Sequence, residues 1–374
     1  MIPLFKVSMS EDAIAKSSEV LQCGHITEGP RVKEFESNLA KKIGNDFVCT
    51  VNSATSGLHL SLDVLRRSNF ICDGDEVLTT PLTCTATNWP ILANNMKIKW
   101  VDIDPRTLNV DLDDLARKIT HKTKAIMVVH WGGYPVDLEK LGEIQDRAES
   151  LYGFRPIVIE DCAHAWGSTF DGKVLGNHGN ICVFSFQAIK HLTSVDGGAI
   201  VFPKKDLQDK AKLMRWYGID RETNKKRFRC EDDIAEWGYK FHMSDVNASI
   251  GNENLKYVGE NVKKHQENAL FYDERLKDVS GITLLERSKN RTSSFWIYSM
   301  LVENRSEFMK AMDDKRIMVS QVHERNDKHS CIKKYKTLLP NLEKTIGNVI
   351  SIPVGWWVTE EQREYIVNCM KSGW

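Results

Sequence analysis

Short apolar runs alternate with amphipathic stretches along the first two thirds of the chain. Pro30–Gly44 carries apolar residues at Val32, Phe35, Leu39 and Ile43, the spacing of a helix with one buried face. DFVCTVNS then reads as a strand, ATSGLHLSLDVLRR as a helix, EVLTT and KIKWVDID as strands, and LDDLARKI as a helix. KAIMVVHW and PIVIED read as strands flanking the helical VDLEKLGEIQDRAESLYG, and ICVFSF and GGAIVF as two strands more. Strands separated by helices form βαβ units and a mostly parallel sheet covered on both faces. From about Lys204 the pattern turns more helical and more charged, with SSFWIYSMLVE as one clear strand. The expected fold class is α/β. A large domain would span residues 1–250 and a smaller α+β domain 251–374, with the first ~20 residues packing on the smaller one.

Composition narrows the function. The chain has 374 residues, 41% of them hydrophobic and 27% charged, enough apolar side chains for a sizeable core. Lys+Arg and Asp+Glu both number 51, so no basic field points to nucleic acid or an anionic membrane. MIPLFKVSMSEDAIAKSSE lacks the basic flank and apolar run of a secretory signal, and no stretch has the apolar length of a membrane helix. Nine scattered cysteines form no CxxC pair, which suits reduced thiols in a cytoplasmic protein and no metal site.

In open α/β sheets, ligands sit beyond the carboxyl ends of the strands, and three features fall there. Asn52-Ser53-Ala54-Thr55-Ser56-Gly57 joins a strand to a helix; its free N–H groups and hydroxyls suit a phosphate, although Ser and Thr also serve as ordinary N-caps. Glu160-Asp161 ends the PIVI run, where a carboxylate can face a cationic ring nitrogen or simply cap a turn; His164 follows. Lys190 lies between two apolar strands, before Asp196-Gly197-Gly198. A desolvated lysine is partly neutral and can form an imine with a carbonyl, whereas a snorkelling surface lysine does nothing of the kind.

Order and spacing tie the three together. GHITEGPRVKEFE, VNSATSGLHLSL, GDEVLTTPLTCTAT, WVDIDPRTLNVD, VHWGGYPVDLEKL, VIEDCAHAWGS, VFSFQAIKHLTSVDGGAIV, WGYKFHMSDVNASIG and SIPVGWWVTEEQREYIV run nearly end to end. Together they resemble the DegT-type sugar aminotransferases, fold-type-I enzymes that use pyridoxal 5'-phosphate. The resemblance implies a large domain with a mostly parallel, seven-stranded-type sheet. It implies that Lys190 tethers the cofactor as a Schiff base, that Asp161 pairs with the pyridine nitrogen, and that His164 contacts the ring hydroxyl. Thr55, Ser56 and Ser185 would hold the phosphate, and Lys240 of Gly-Tyr-Lys-Phe would reach the phosphate of a second subunit, giving a homodimer with shared sites. Thr85 falls where many members place an aromatic against the ring. Dehydratase-like members carry histidine at the lysine position; here Lys190 is kept, with His191 beside it.

The resemblance further implies amino transfer from glutamate to a nucleotide-linked keto-deoxysugar, most like members acting at C4 of a 4-keto-6-deoxyhexose such as perosamine and viosamine synthases. His323 and Arg325, in Val322-His323-Glu324-Arg325-Asn326-Asp327, would face that substrate, unless the stretch is a charged surface turn. Two alternatives stand beside this reading: a C3-aminating enzyme, and a non-catalytic or regulatory protein that keeps the fold. No G-x-G-x-x-G follows an early strand, which disfavours a dinucleotide-dependent dehydrogenase.

Overall fold

The computed structural model describes residues 1–221 and 233–374. Nine strands lie within the first 201 residues: β1 (Val48–Val51), β2 (Glu76–Thr79), β3 (Lys97–Trp100), β4 (Thr123–Val129), β5 (Ile157–Asp161), β6 (Thr169–Phe170), β7 (Lys173–Val174), β8 (Ile181–Ser185) and β9 (Gly198–Val201). Seven of them form one sheet in the order β1-β9-β8-β5-β4-β2-β3. Only β9 runs against its neighbours. The mostly parallel sheet expected from the sequence is thus present. Its strands are buried on both faces because helices cover both; every residue of β1 and β9 is buried.

Two apolar cores lie on either side of this sheet. Phe35, Leu39, Val128, Val158, Phe184 and Phe186 belong to one, and Leu58, Leu62, Met127, Ile159, Val183 and Ile200 to the other. Neighbours Val158 and Ile159, or Val183 and Phe184, go to opposite sides, as strand alternation requires.

In the last third, β10 (Ile282–Leu284), β12 (Tyr298–Val302) and β13 (Val349–Ile352) make a small antiparallel sheet, while β11 (Arg291–Thr292) pairs with β6. Tyr298, Met300, Phe308, Ile350 and Ile366 form its core. The boundary expected at residue 250 falls inside the helix Asp245–Leu255. The next helix, Val258–Leu276, gives Val258 and Val262 to the first core and Tyr272 and Leu276 to the small one. Ile2 pairs with Ile317 and Trp357 Nε1 donates to Pro3 O at 2.9 Å, so the extreme N-terminus lies on the small sheet's side. The helix Glu11–Cys23, which the sequence pattern did not reveal, lies instead against Asp245–Leu255.

No helix among the described residues is long and apolar enough to cross a membrane.

Candidate active site

The carboxyl ends of β1, β5 and β8 point the same way, and the residues singled out in the sequence follow them. Ser53 caps the helix Ala54–Arg67: its Oγ accepts from Ser56 N at 3.1 Å and lies 3.0 Å from Ser56 Oγ. Gly57 lets this helix press on the sheet, since a Cβ there would stand 2.8 Å from Val183 Cγ1. Gly198 does the same for β9, where a Cβ would meet Ala54 N at 2.7 Å. Gly198 pairs with Val51 on one side and Ser185 on the other, so the hydroxyl-bearing turn and Ser185 flank the start of β9. Thr55 is exposed at the helix start, where N–H groups are unpaired and the dipole favours an anion.

Strand alternation separates the two acids at the end of β5. Glu160 Oε2 is 2.8 Å from His130 Nε2, and Glu160 Oε1 accepts from Asn180 at 2.7 Å. Burial opposes its charge, but these bonds prevail and hold it below the usual carboxylate value. His130 Nδ1 accepts from Val136 N, so both its nitrogens are engaged and neither is free to bind a metal beside Glu160 and Cys162. Asp161 Oδ2 accepts from Thr87 Oγ1 at 2.7 Å and Oδ1 from Ala163 N at 3.0 Å. Burial raises the Asp161 pKa despite these bonds and the nearby Lys190.

Lys190 closes the turn after β8, its N–H donating to Gln187 O at 2.9 Å. Nζ lies 3.5 Å from the ring centre of Trp296, whose Nε1 donates to Ile189 O at 2.8 Å. Burial pulls the amine down to about 8, against the opposing pull of Asp161. His164 stacks on Trp296 at 3.9 Å and runs parallel to His323 at 5.4 Å. Burial, reinforced by Lys190, depresses both histidines, His323 to about 4. His164 Nδ1 is buried and has no hydrogen-bond partner, which is costly unless a ligand supplies one. Thr87 and Trp296 were not apparent in the sequence; a Thr in TCTAT and a Trp in an apolar strand carry no signal of their own.

Three expectations meet a different setting. Arg325 is engaged within the protein: Nε and Nη2 grip Asp327 at 2.7 and 2.6 Å, and Nη1 reaches Glu343 at 2.7 Å. Thr85 is the first residue of a helix, Thr85–Ala93, that the sequence pattern did not reveal. Lys240 is exposed, and its backbone O accepts from Asn52 Nδ2 of its own chain at 3.3 Å, beside the Ser53 turn.

A profile of the DegT/DnrJ/EryC1/StrS aminotransferase family matches residues 7–371. The chain belongs to this family. It is similar to the sugar aminotransferase CalS13 from Micromonospora echinospora, with 49% identity, a TM-score of 0.96 and 100% of both chains covered. It is equally similar in shape to AtS13 from Actinomadura melliaura, at 52% identity, a TM-score of 0.96 and coverage of 100% and 99%. The UDP-4-amino-4-deoxy-L-arabinose–oxoglutarate aminotransferase of Shewanella sediminis (strain HAW-EB3) is 34% identical over 289 residues, 76% of this chain and 71% of that protein. The protein is an aminotransferase acting on nucleotide sugars, and its cofactor is pyridoxal phosphate. The residues fit that group: a depressed lysine amine, a buried carboxylate, an unpartnered His164 nitrogen and an N–H-rich turn converge beyond the same strand ends.

Proposed function

We propose that the protein transfers an amino group from glutamate to a nucleotide-linked keto-deoxysugar, most readily at C4 of a 4-keto-6-deoxyhexose. The carrying observation is that the buried Lys190 amine and the buried Asp161 carboxylate lie within electrostatic reach of each other beyond the carboxyl ends of the adjacent strands β8 and β5. Relatives named for 4-amino sugars support C4, among them the Shewanella enzyme and a UDP-4-amino-4,6-dideoxy-N-acetyl-beta-L-altrosamine transaminase of Campylobacter jejuni, 32% identical over 305 residues. The oxoglutarate in the first name supports glutamate as donor.

In this reading the cofactor, when bound, stores the amino group and delocalises the electrons left when a C–H bond breaks. Asp161 would hold the pyridine nitrogen protonated, with Thr87 and Ala163 donating hydrogen bonds to its carboxylate. Thr55, Ser56 and Ser185 bind the phosphate, and Lys240 reaches that of a second copy in a homodimer. His164 supplies its unpartnered Nδ1 to the ring hydroxyl. Lys190 Nζ is both tether and proton carrier: it removes the proton from the donor's Cα and delivers one to the sugar carbon that becomes C–NH2. His323, neutral and parallel to His164, faces the sugar; Arg325 is left out of the role, being held by Asp327 and Glu343. Reduced cysteines suit work in the cytoplasm.

The test has two arms. Borohydride reduction of the loaded enzyme leaves the cofactor's mass on the Lys190 peptide, and Lys190→Ala abolishes it along with turnover. With glutamate, a panel of dTDP-, GDP- and UDP-linked 3- and 4-keto sugars yields a product in which H and NH2 replace the carbonyl oxygen only for a 4-keto substrate. Cofactor trapped on another lysine, or amination at C3 alone, refutes the respective half.

A further inference from the structure

Trp296 comes from the far half of the chain, just before β12, and is 3% exposed. It touches the Lys190 turn at two points. The Nε1–H is bonded to Ile189 O at 2.8 Å, one residue before the lysine, and the ring centre stands 3.5 Å from Nζ. An indole attracts an ammonium within about 6 Å. The ring is itself clamped, by His164 at 3.9 Å and by Phe5, stacked at 5.1 Å and 25°.

The reading above requires Lys190 to leave its covalent partner once per half-reaction. A released lysine has four rotatable bonds in its side chain, and burial penalises its charged form. The titratable groups facing it are Asp161, Cys84, His164, His323 and His191. Burial lowers all three histidines, and Asp161 already accepts from Thr87 and Ala163. None of these contacts fixes where the amine rests. We propose that Trp296 is a positioning residue for released Lys190: its indole face holds the ammonium form of Nζ, and its Nε1–H pins the turn that carries the lysine. The inference rests on Lys190 being the reactive amine.

The test is the pH dependence of Lys190 reductive methylation in the full-length chain without added cofactor, followed by peptide mass for the parent, Trp296→Leu and Trp296→Phe. With the aromatic face gone, the ammonium loses its partner, so in Trp296→Leu the Lys190 titration should fall by about one unit. Trp296→Phe, with a weaker ring, should fall by about half as much, and it remains a test if the leucine variant does not fold. An unchanged or raised titration in both overturns the proposal, because loosened packing alone admits water and moves a buried lysine upward. This outcome is independent of the borohydride trapping, so failure of the positioning role and failure of the tether assignment are told apart.

Discussion

Thr87→Val isolates what holds Asp161 in its charged form. The substitution exchanges a hydroxyl for a methyl and leaves the side chain's shape. Thr87 Oγ1 lies 2.7 Å from Asp161 Oδ2 and 2.8 Å from Thr83 Oγ1, all three residues being buried. An ionised carboxylate only accepts, so Thr87 donates to Asp161 and takes its own bond from Thr83. A hydrogen bond to a charged group is worth about 1.5–3 kcal/mol, and one pKa unit is about 1.4 kcal/mol. Losing it should raise the Asp161 pKa further, on top of the rise that burial already imposes. The carboxylate that balances a protonated pyridine nitrogen loses a charge-assisted hydrogen bond, so cofactor affinity should fall about tenfold.

The sign of the stability effect follows from the same shift. Asp161 binds its proton more tightly folded than unfolded, so its contribution to stability is lost as pH rises past the ordinary value near 3.8. The valine variant enlarges that loss. Its deficit against the parent should be complete at pH 8 and shrink as Asp161 becomes protonated in both proteins. Cofactor titration by fluorescence and urea unfolding at pH 4.5 and 8 measure the two effects. Affinity within twofold of the parent, with an equal stability gap at both pH values, would refute the reasoning.

Gly57→Ala should lower the melting temperature and weaken phosphate binding. The new Cβ meets Val183 Cγ1 at 2.8 Å and Ile200 Cγ1 at 3.3 Å; overpacking costs about 1–3 kcal/mol, more than the roughly 1 kcal/mol that alanine adds in a helix. A melting temperature at or above the parent's would show that the sheet yields. Arg325→Gln should destabilise the fold by about 3 kcal/mol, because Asp327, 3% exposed, is left without its bidentate partner; the KM for the sugar should stay within twofold. A tenfold rise in KM at unchanged stability would return Arg325 to the substrate.

Much of the site was legible because it follows local rules. Ser53 and Ser56 announce a helix start through their hydroxyls, and that cap is present. The short apolar runs in PIVIED and ICVFSF marked strands, and a parallel sheet brings their carboxyl ends to one edge. Lys190 stood out only through its frame, 29 residues after Asp161 and just before Gly197-Gly198. Residue type alone does not separate Glu160 from Asp161, which only the family resemblance singled out; one residue of strand register sends Glu160 to His130 and Asp161 to Thr87. The Glu11–Cys23 helix was missed because its exposed face carries Ile14 and Leu21, which blurs the apolar stripe. The Thr85–Ala93 helix was missed because Pro90 sits inside it.

The sequence by itself determined the alternating α/β order, the hydroxyl-rich turn, and the lysine and aspartate at the carboxyl ends of strands, since periodicity and end signals act over a few residues. Only the tertiary structure decided which groups tune them. Thr87 is 74 residues from Asp161, and Trp296 is 107 from the Ile189 carbonyl it anchors. His323 is 159 residues from His164, and Arg325, which looked free to face a substrate, is held by Asp327 and Glu343. Such partners are chosen by burial: an amine, a carboxylate or a guanidinium withdrawn from water must find a counterpart wherever packing brings one, and no local pattern encodes that choice.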